Sequence, residues 1–108
     1  MAKFKFVYWL LEFLISQDNF VFEWDEGNLS KNKSKHGVVV DEIESVFEDE
    51  NMAVLGEQYQ PVVSEDRYGL IGKAASEEIL FVCFTIRQGR IRVISARFAN
   101  KKERNFYE

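Results

Sequence analysis

Residues 78–98 constrain this chain more than any other stretch: two strand-forming runs, 78–87 and 90–98, meet at Gln88-Gly89. Two apolar, β-branched runs separated by two residues, the second a Gly, close as an antiparallel hairpin, because Gly supplies the positive φ that so short a turn demands. That turn sets Arg87 opposite Arg90, Thr85 opposite Arg92 and Cys83 opposite Ile94. Arg87, Arg90 and Arg92 then share one face, while Ile86, Phe84, Ile91 and Val93 share the other, with Ser95 and Arg97 further along it. A slip of one residue would instead carry Arg97 to the face of Arg87. Arginine stays charged and offers a fork of donors that fits phosphate oxygens, so the hairpin implies a phosphate-bearing ligand, with nucleic acid the first candidate.

The net charge of -4 opposes that reading until the charge is located. Residues 1–40 balance five basic against five acidic groups, residues 41–66 hold nine acidic and no basic ones, and residues 67–108 hold nine basic against four acidic. A molecule segregated in this way offers a positive face to a phosphate chain and a negative face to a basic partner. With 108 residues, 46% of them hydrophobic and ten of them Phe, the chain suits one domain with a real core rather than a disordered segment. The one cysteine, Cys83, lies inside an apolar run. It excludes an internal disulfide framework, points to the cytoplasm, and reads as a packing residue rather than a nucleophile.

Residues 4–15 are almost wholly apolar, broken by Lys5 and Glu12. Roughly 20 apolar residues are needed to cross a bilayer, so the stretch reads as a packing helix or an oligomer contact, and residues 1–19 as an extension preceding a single domain over 20–108. A short strand is expected over 20–24, with Asp25 capping a polar helical segment over 26–35 that ends at Gly37. A second helix follows over 38–47, its apolar Val39 or Val40, Ile43, Val46 and Phe47 spaced three and four apart and Asp41, Glu42, Glu44 and Glu48 turned outward. Beyond it come a short run through Leu55, a turn at Gln60-Pro61, a strand over 67–73, the hairpin, and a charged helix over 100–108. The order predicts an α+β fold: an antiparallel sheet of about four to five strands, two helices on one side and a C-terminal helix.

The succession of short motifs resembles a known family. Phe22-Glu23-Trp24-Asp25, Asn32, Lys35-His36-Gly37-Val38, Val46-Phe47 with Asp49, Glu65-Asp66-Arg67-Tyr68 with Gly72, Thr85 with Arg87, and Ile91 to Arg97 with Glu103-Arg104 and Tyr107-Glu108 look like the BrnT toxins of bacterial type II toxin–antitoxin systems. The likeness runs from about residue 20 to the end and leaves the N-terminal extension unaccounted for. It implies a compact RelE-like fold, endoribonuclease activity that inhibits translation and growth, and neutralisation by a BrnA-like ribbon-helix-helix antitoxin through which alone operator DNA is met. The acidic 41–66 region and the apolar N-terminus are the candidate antitoxin contacts, and residues 4–15 a candidate homodimer contact.

Metal-independent RNA cleavage needs a base for the 2'-hydroxyl, an acid for the leaving 5'-oxygen, and positive charge on the phosphate. Arg67, Arg87 and Arg97 are the expected phosphate group, with Arg90 and Arg92 as outer RNA contacts; each has a structural alternative, pairing with Glu65, Glu78 or Glu103. His36, the only histidine, is either an acid–base group or a helix-end hydrogen-bond partner. Glu65 either serves as base or orients Arg67, Lys35 adds charge near the leaving group, and Tyr107 packs, stacks on a base or donates a proton. Neither a Gly-rich phosphate loop nor a metal-spaced ligand cluster is present in the sequence, so no metal and no cofactor are expected. The alternative is a binding module, or decayed toxin, in which the same arginines grip nucleic acid or protein without chemistry.

Overall fold

A computed structural model describes residues 3–16, 19–24 and 38–107. In chain order its elements are β1 (Lys3–Lys5), α1 (Tyr8–Ser16), β2 (Phe22–Glu23), α2 (Val40–Val46), β3 (Ala53–Gln60), β4 (Tyr68–Lys73), β5 (Ile79–Arg87), β6 (Arg90–Phe98) and α3 (Lys101–Tyr107). The segment expected as a helix over 26–35, with Asp25, Gly37, Lys35 and His36, lies outside the described residues.

The six strands form one sheet in the order β1-β3-β4-β5-β6-β2. Strands β3 to β6 are a meander, each antiparallel to the next, because their connections are too short to cross over. Gln88 and Gly89 have φ of 53° and 76°, so the hairpin turn is of the type whose twist matches that of its strands. The α+β expectation holds, with two corrections to the sheet. Among the described residues it has six strands rather than four or five, since the three-residue β1 and two-residue β2 are too short to announce themselves by periodicity. It is also mixed, as β2 runs parallel to β6, with Phe22 opposite Ile91 and Glu23 opposite Arg92.

The N-terminal apolar stretch departs from a plain helix. Lys3 to Lys5 pair antiparallel with β3, and the helix starts only at Tyr8. Strand β3 in turn runs to Gln60 rather than stopping near Leu55; a bulge between Val54 and Gly56 breaks the alternation that would have revealed it.

One face of the sheet is covered. Leu70, Leu80, Val82, Phe84, Ile91, Val93 and Ala96 pack under Leu10 and Leu14 of α1 and Ile43 and Val46 of α2. Phe47 sits at the centre, with the rings of Phe22 and Phe84 both 5.2 Å away and edge-on, a geometry aromatic quadrupoles favour. The acidic side chains of α2 are used locally: Glu44 accepts the Trp24 indole N–H at 2.7 Å and Glu42 accepts the Ser76 amide at 3.0 Å. No helix among the described residues is long and apolar enough to cross a membrane.

Candidate functional site

The other face of the sheet carries the arginines. The register predicted for the hairpin holds at Arg87 opposite Arg90 and Thr85 opposite Arg92, then shifts: Phe84 faces Val93, but Cys83 faces Ser95 rather than Ile94. Ile94 is the extra residue of a β-bulge. Because side chains alternate with period two, one extra residue moves Ser95 and Arg97 from the core face to the face of Arg92. Arg97 therefore lies opposite Phe81, its guanidinium carbon 4.6 Å from the ring centroid.

Successive rows cross this face. Tyr68 pairs with Phe84, so Arg67, one residue earlier, lies level with Thr85, and Thr85 pairs with Arg92, which pairs with Glu23. Arg67 and Arg92 are thus separated by one strand, about 10 Å between backbones. The next row is Gly69, Cys83 and Ser95, and the next Ile71, Phe81 and Arg97. Thr85 is buried, a polar side chain between two arginines.

The arginines differ in commitment. Arg67 approaches Glu65 at 3.5 Å, near the outer limit of a hydrogen bond, and its Nε is buried with no hydrogen-bond partner among the described residues. Arg97 makes a bidentate pair with Glu103 at 2.7 and 2.8 Å, which keeps its guanidinium firmly charged. Arg87, 54% exposed, lies 3.7 Å from Glu23 at the turn end, where Arg90 is also exposed. The structure therefore brings Arg67 and Arg92 together at the centre of the face, sets Arg97 two rows away against α3, and leaves Arg87 and Arg90 at the rim.

Helix α3 is fastened at both ends. Asn100 caps it by accepting the Glu103 amide at 2.8 Å, while Glu103 takes the Asn100 amide at 3.0 Å, a reciprocal cap. Burial raises the Glu103 pKa, but the bonds from Arg97 and Asn100 outweigh it and hold the carboxyl below its usual range. At the far end the Tyr107 hydroxyl donates to Asp49 at 2.6 Å. Burial and that bond push the Tyr107 pKa up to about 12, so its geometry is that of an anchor. Asp49 also accepts the Lys73 and Asn51 amides at 2.8 and 3.0 Å; despite burial, these bonds hold it below its ordinary value. Burial pushes the Cys83 thiol up to about 11 even with Arg67 nearby, which makes it an unreactive floor residue. Among the described residues no cluster of three or more His, Cys, Asp or Glu is placed to hold a metal ion.

Sequence reasoning missed Phe81, Ser95 and Glu23 as residues of this face, since their placement depends on a bulge and on a parallel strand. Glu103 was expected only as a partner for an arginine; the signal for its second role is the Asn100-Lys101-Lys102-Glu103 spacing, which has the residue types of a reciprocal helix cap.

A six-stranded sheet, packed on one face by α1 and α2 and carrying the arginines together with α3 on the other, defines a small α+β protein. Residues 24–103 match the family model described as "Ribonuclease toxin, BrnT, of type II toxin-antitoxin system". The chain belongs to that family. Among solved structures it is similar to the crystal structure of the Brucella abortus ribonuclease toxin BrnT, with a TM-score of 0.56 and 24% identity over 77% of this chain and 100% of that one. No curated protein matches the chain.

Proposed function

We propose that this protein is the toxin of a type II toxin–antitoxin pair and cleaves RNA without a metal, inhibiting translation and growth. In the reaction the 2'-hydroxyl loses its proton and attacks the adjacent phosphorus; the P–O5' bond breaks, the 5'-oxygen takes a proton, and a cyclic phosphate remains on the other fragment. The phosphate gains negative charge as it becomes five-coordinate, and fixed guanidinium donors aimed there lower the barrier most.

The observation that carries the reading is the Arg67–Thr85–Arg92 row, in which two arginines flank a buried threonine on rigid strands. The terminal nitrogen of Arg67, held by Glu65 only at 3.5 Å on a part-exposed side chain, is the donor a phosphate oxygen can take over. Glu65 beside Arg67 is the base in this reading, His36 the acid and Lys35 a contact near the leaving group. Arg87 and Arg90 follow the RNA backbone at the rim, and Arg97 acts once its hold on Glu103 is shared with phosphate.

The partner is a BrnA-like ribbon-helix-helix antitoxin that carries any contact with operator DNA. Its surface here is the acidic side of α2, where Asp41, Glu44 and Glu48 border a cavity of about 270 Å³ floored by Phe20 and Phe22. Charge complementarity fits a basic amphipathic segment there. Leu10 and Leu14 are spent in the core, which leaves Tyr8, Trp9 and Ile15 for a second copy of the chain. The site of action is the cytoplasm, where RNA is.

The test is cleavage of total RNA by purified protein in EDTA, beside induction of the chain alone in a bacterial host. Arg67→Ala and Arg92→Ala are each expected to slow cleavage about 100- to 1000-fold, the usual cost of one preorganised donor, and to relieve growth arrest. Folded wild-type protein that binds RNA and leaves it intact would select the non-catalytic binding module instead.

A further inference from the structure

The N-terminal strand brings an aromatic ring onto the arginine face. Phe4 pairs with Gln58 of β3, and the Gln58 amide donates to the Arg67 carbonyl at 2.7 Å, so Phe4 lies in the row of Arg67, Thr85 and Arg92, at its other end. Its ring leans over Gly69: a Cβ on that glycine would come within 2.8 Å of the ring, so a bare backbone is what lets the phenyl group lie against β4. The Phe81 ring stands 5.9 Å away at 61°, and its other neighbour is the Arg97 guanidinium. Phe4 itself is only partly buried. Gly69 is two residues from Arg67 along β4, about 7 Å, so a base lying on Phe4 stands one short step from a phosphate held at Arg67. β1 and α1 both precede the residues matched by the family model, which begin at Trp24.

Resting on the RNA-cleaving reading above, we propose that Phe4 is a nucleobase-stacking residue, supplied by the N-terminal strand, that positions single-stranded RNA on the Arg67–Arg92 row. Unstacked bases are held on aromatic rings because every base has a π-face, and such a platform sets which nucleotide stands beside the reacting phosphate. Phe4 is a positioning residue and touches the base rather than the reacting atoms.

The test uses the full chain and uncleavable probes: 2'-O-methyl dodecamers of A, C, G and U, and an abasic sugar–phosphate strand of equal length. Affinity is read by fluorescence anisotropy. Wild type is expected to prefer base-bearing strands over the abasic one by about 5- to 150-fold, the range for one stacked base. Phe4→Leu, which keeps apolar cover over Gly69, should remove that preference while leaving abasic affinity unchanged, and Phe4→Trp should restore it. Near-ultraviolet circular dichroism confirms that each variant is folded, and the Trp variant decides the matter if the Leu variant is not. Wild-type preference unchanged in Phe4→Leu, or not restored by Phe4→Trp, overturns the stacking role and leaves the RNA reading standing. Wild type that binds no strand at all overturns both.

Discussion

Cys83 and Glu103 show how a buried group is silenced and a half-buried one put to use. The Cys83 thiol has a pKa of about 11 because burial disfavours its charged form more than the Arg67 charge favours it. At pH 8 only about one thiol in a thousand is ionised, so iodoacetamide should label Cys83 only in denaturant, as followed by mass spectrometry. Labelling of the native protein within minutes would contradict the packing seen here. Glu103 has the opposite sign. Its folded pKa is depressed, so its contribution to stability is present above its unfolded value of about 4.3 and is lost as pH falls through the lower folded value. Urea midpoints should therefore drop between pH 5 and pH 3, and Glu103→Gln should flatten part of that fall. Asp49, also depressed, should supply the remainder.

At the scale of elements, the N-terminus decides stability. Leu10 and Leu14 of α1 are 0% and 2% exposed in the central cluster, and burying each such side chain is worth roughly 2 to 5 kcal/mol against Ala. Whole domains have only about 5 to 15 kcal/mol to lose. A fragment of residues 20–108 should therefore lose its near-ultraviolet circular dichroism and cooperative melt; an unchanged melting temperature would make the extension an accessory. How legible the elements were followed from their length and regularity. The β5–β6 hairpin and helices α2 and α3 were readable to within two or three residues, because long periodic runs carry their own signal. β1 and β2 were not, since a strand of two or three residues exists only through its neighbour's hydrogen bonds.

Across the whole molecule, charge sets how partners arrive. The basic excess lies in residues 67–108 and the acidic excess in 41–66, so under the proposed function RNA and a basic antitoxin segment would approach different surfaces. If three or four arginines meet phosphates, log affinity for single-stranded RNA should fall against log salt with a slope of about -2 to -3. Arg67→Ala should lower that slope by about 0.7 and Arg104→Ala should not, as the Arg104 guanidinium is turned to the Ala99 carbonyl. A slope near zero would remove the phosphate row from the account.

By itself, the sequence determined the fold class, the meander, helices α2 and α3, the segregation of charge and the presence of arginines on the last hairpin, all properties carried by local pattern and composition. The tertiary structure alone decided which arginines converge. The bulge at Ile94 turned Arg97 to the face of Arg92, the capped α3 then claimed it through Glu103, and the entry to β4 delivered Arg67 from another part of the chain. The physical reason is that side-chain direction in a sheet reverses with every residue of register, and register is fixed by contacts between strands rather than within them.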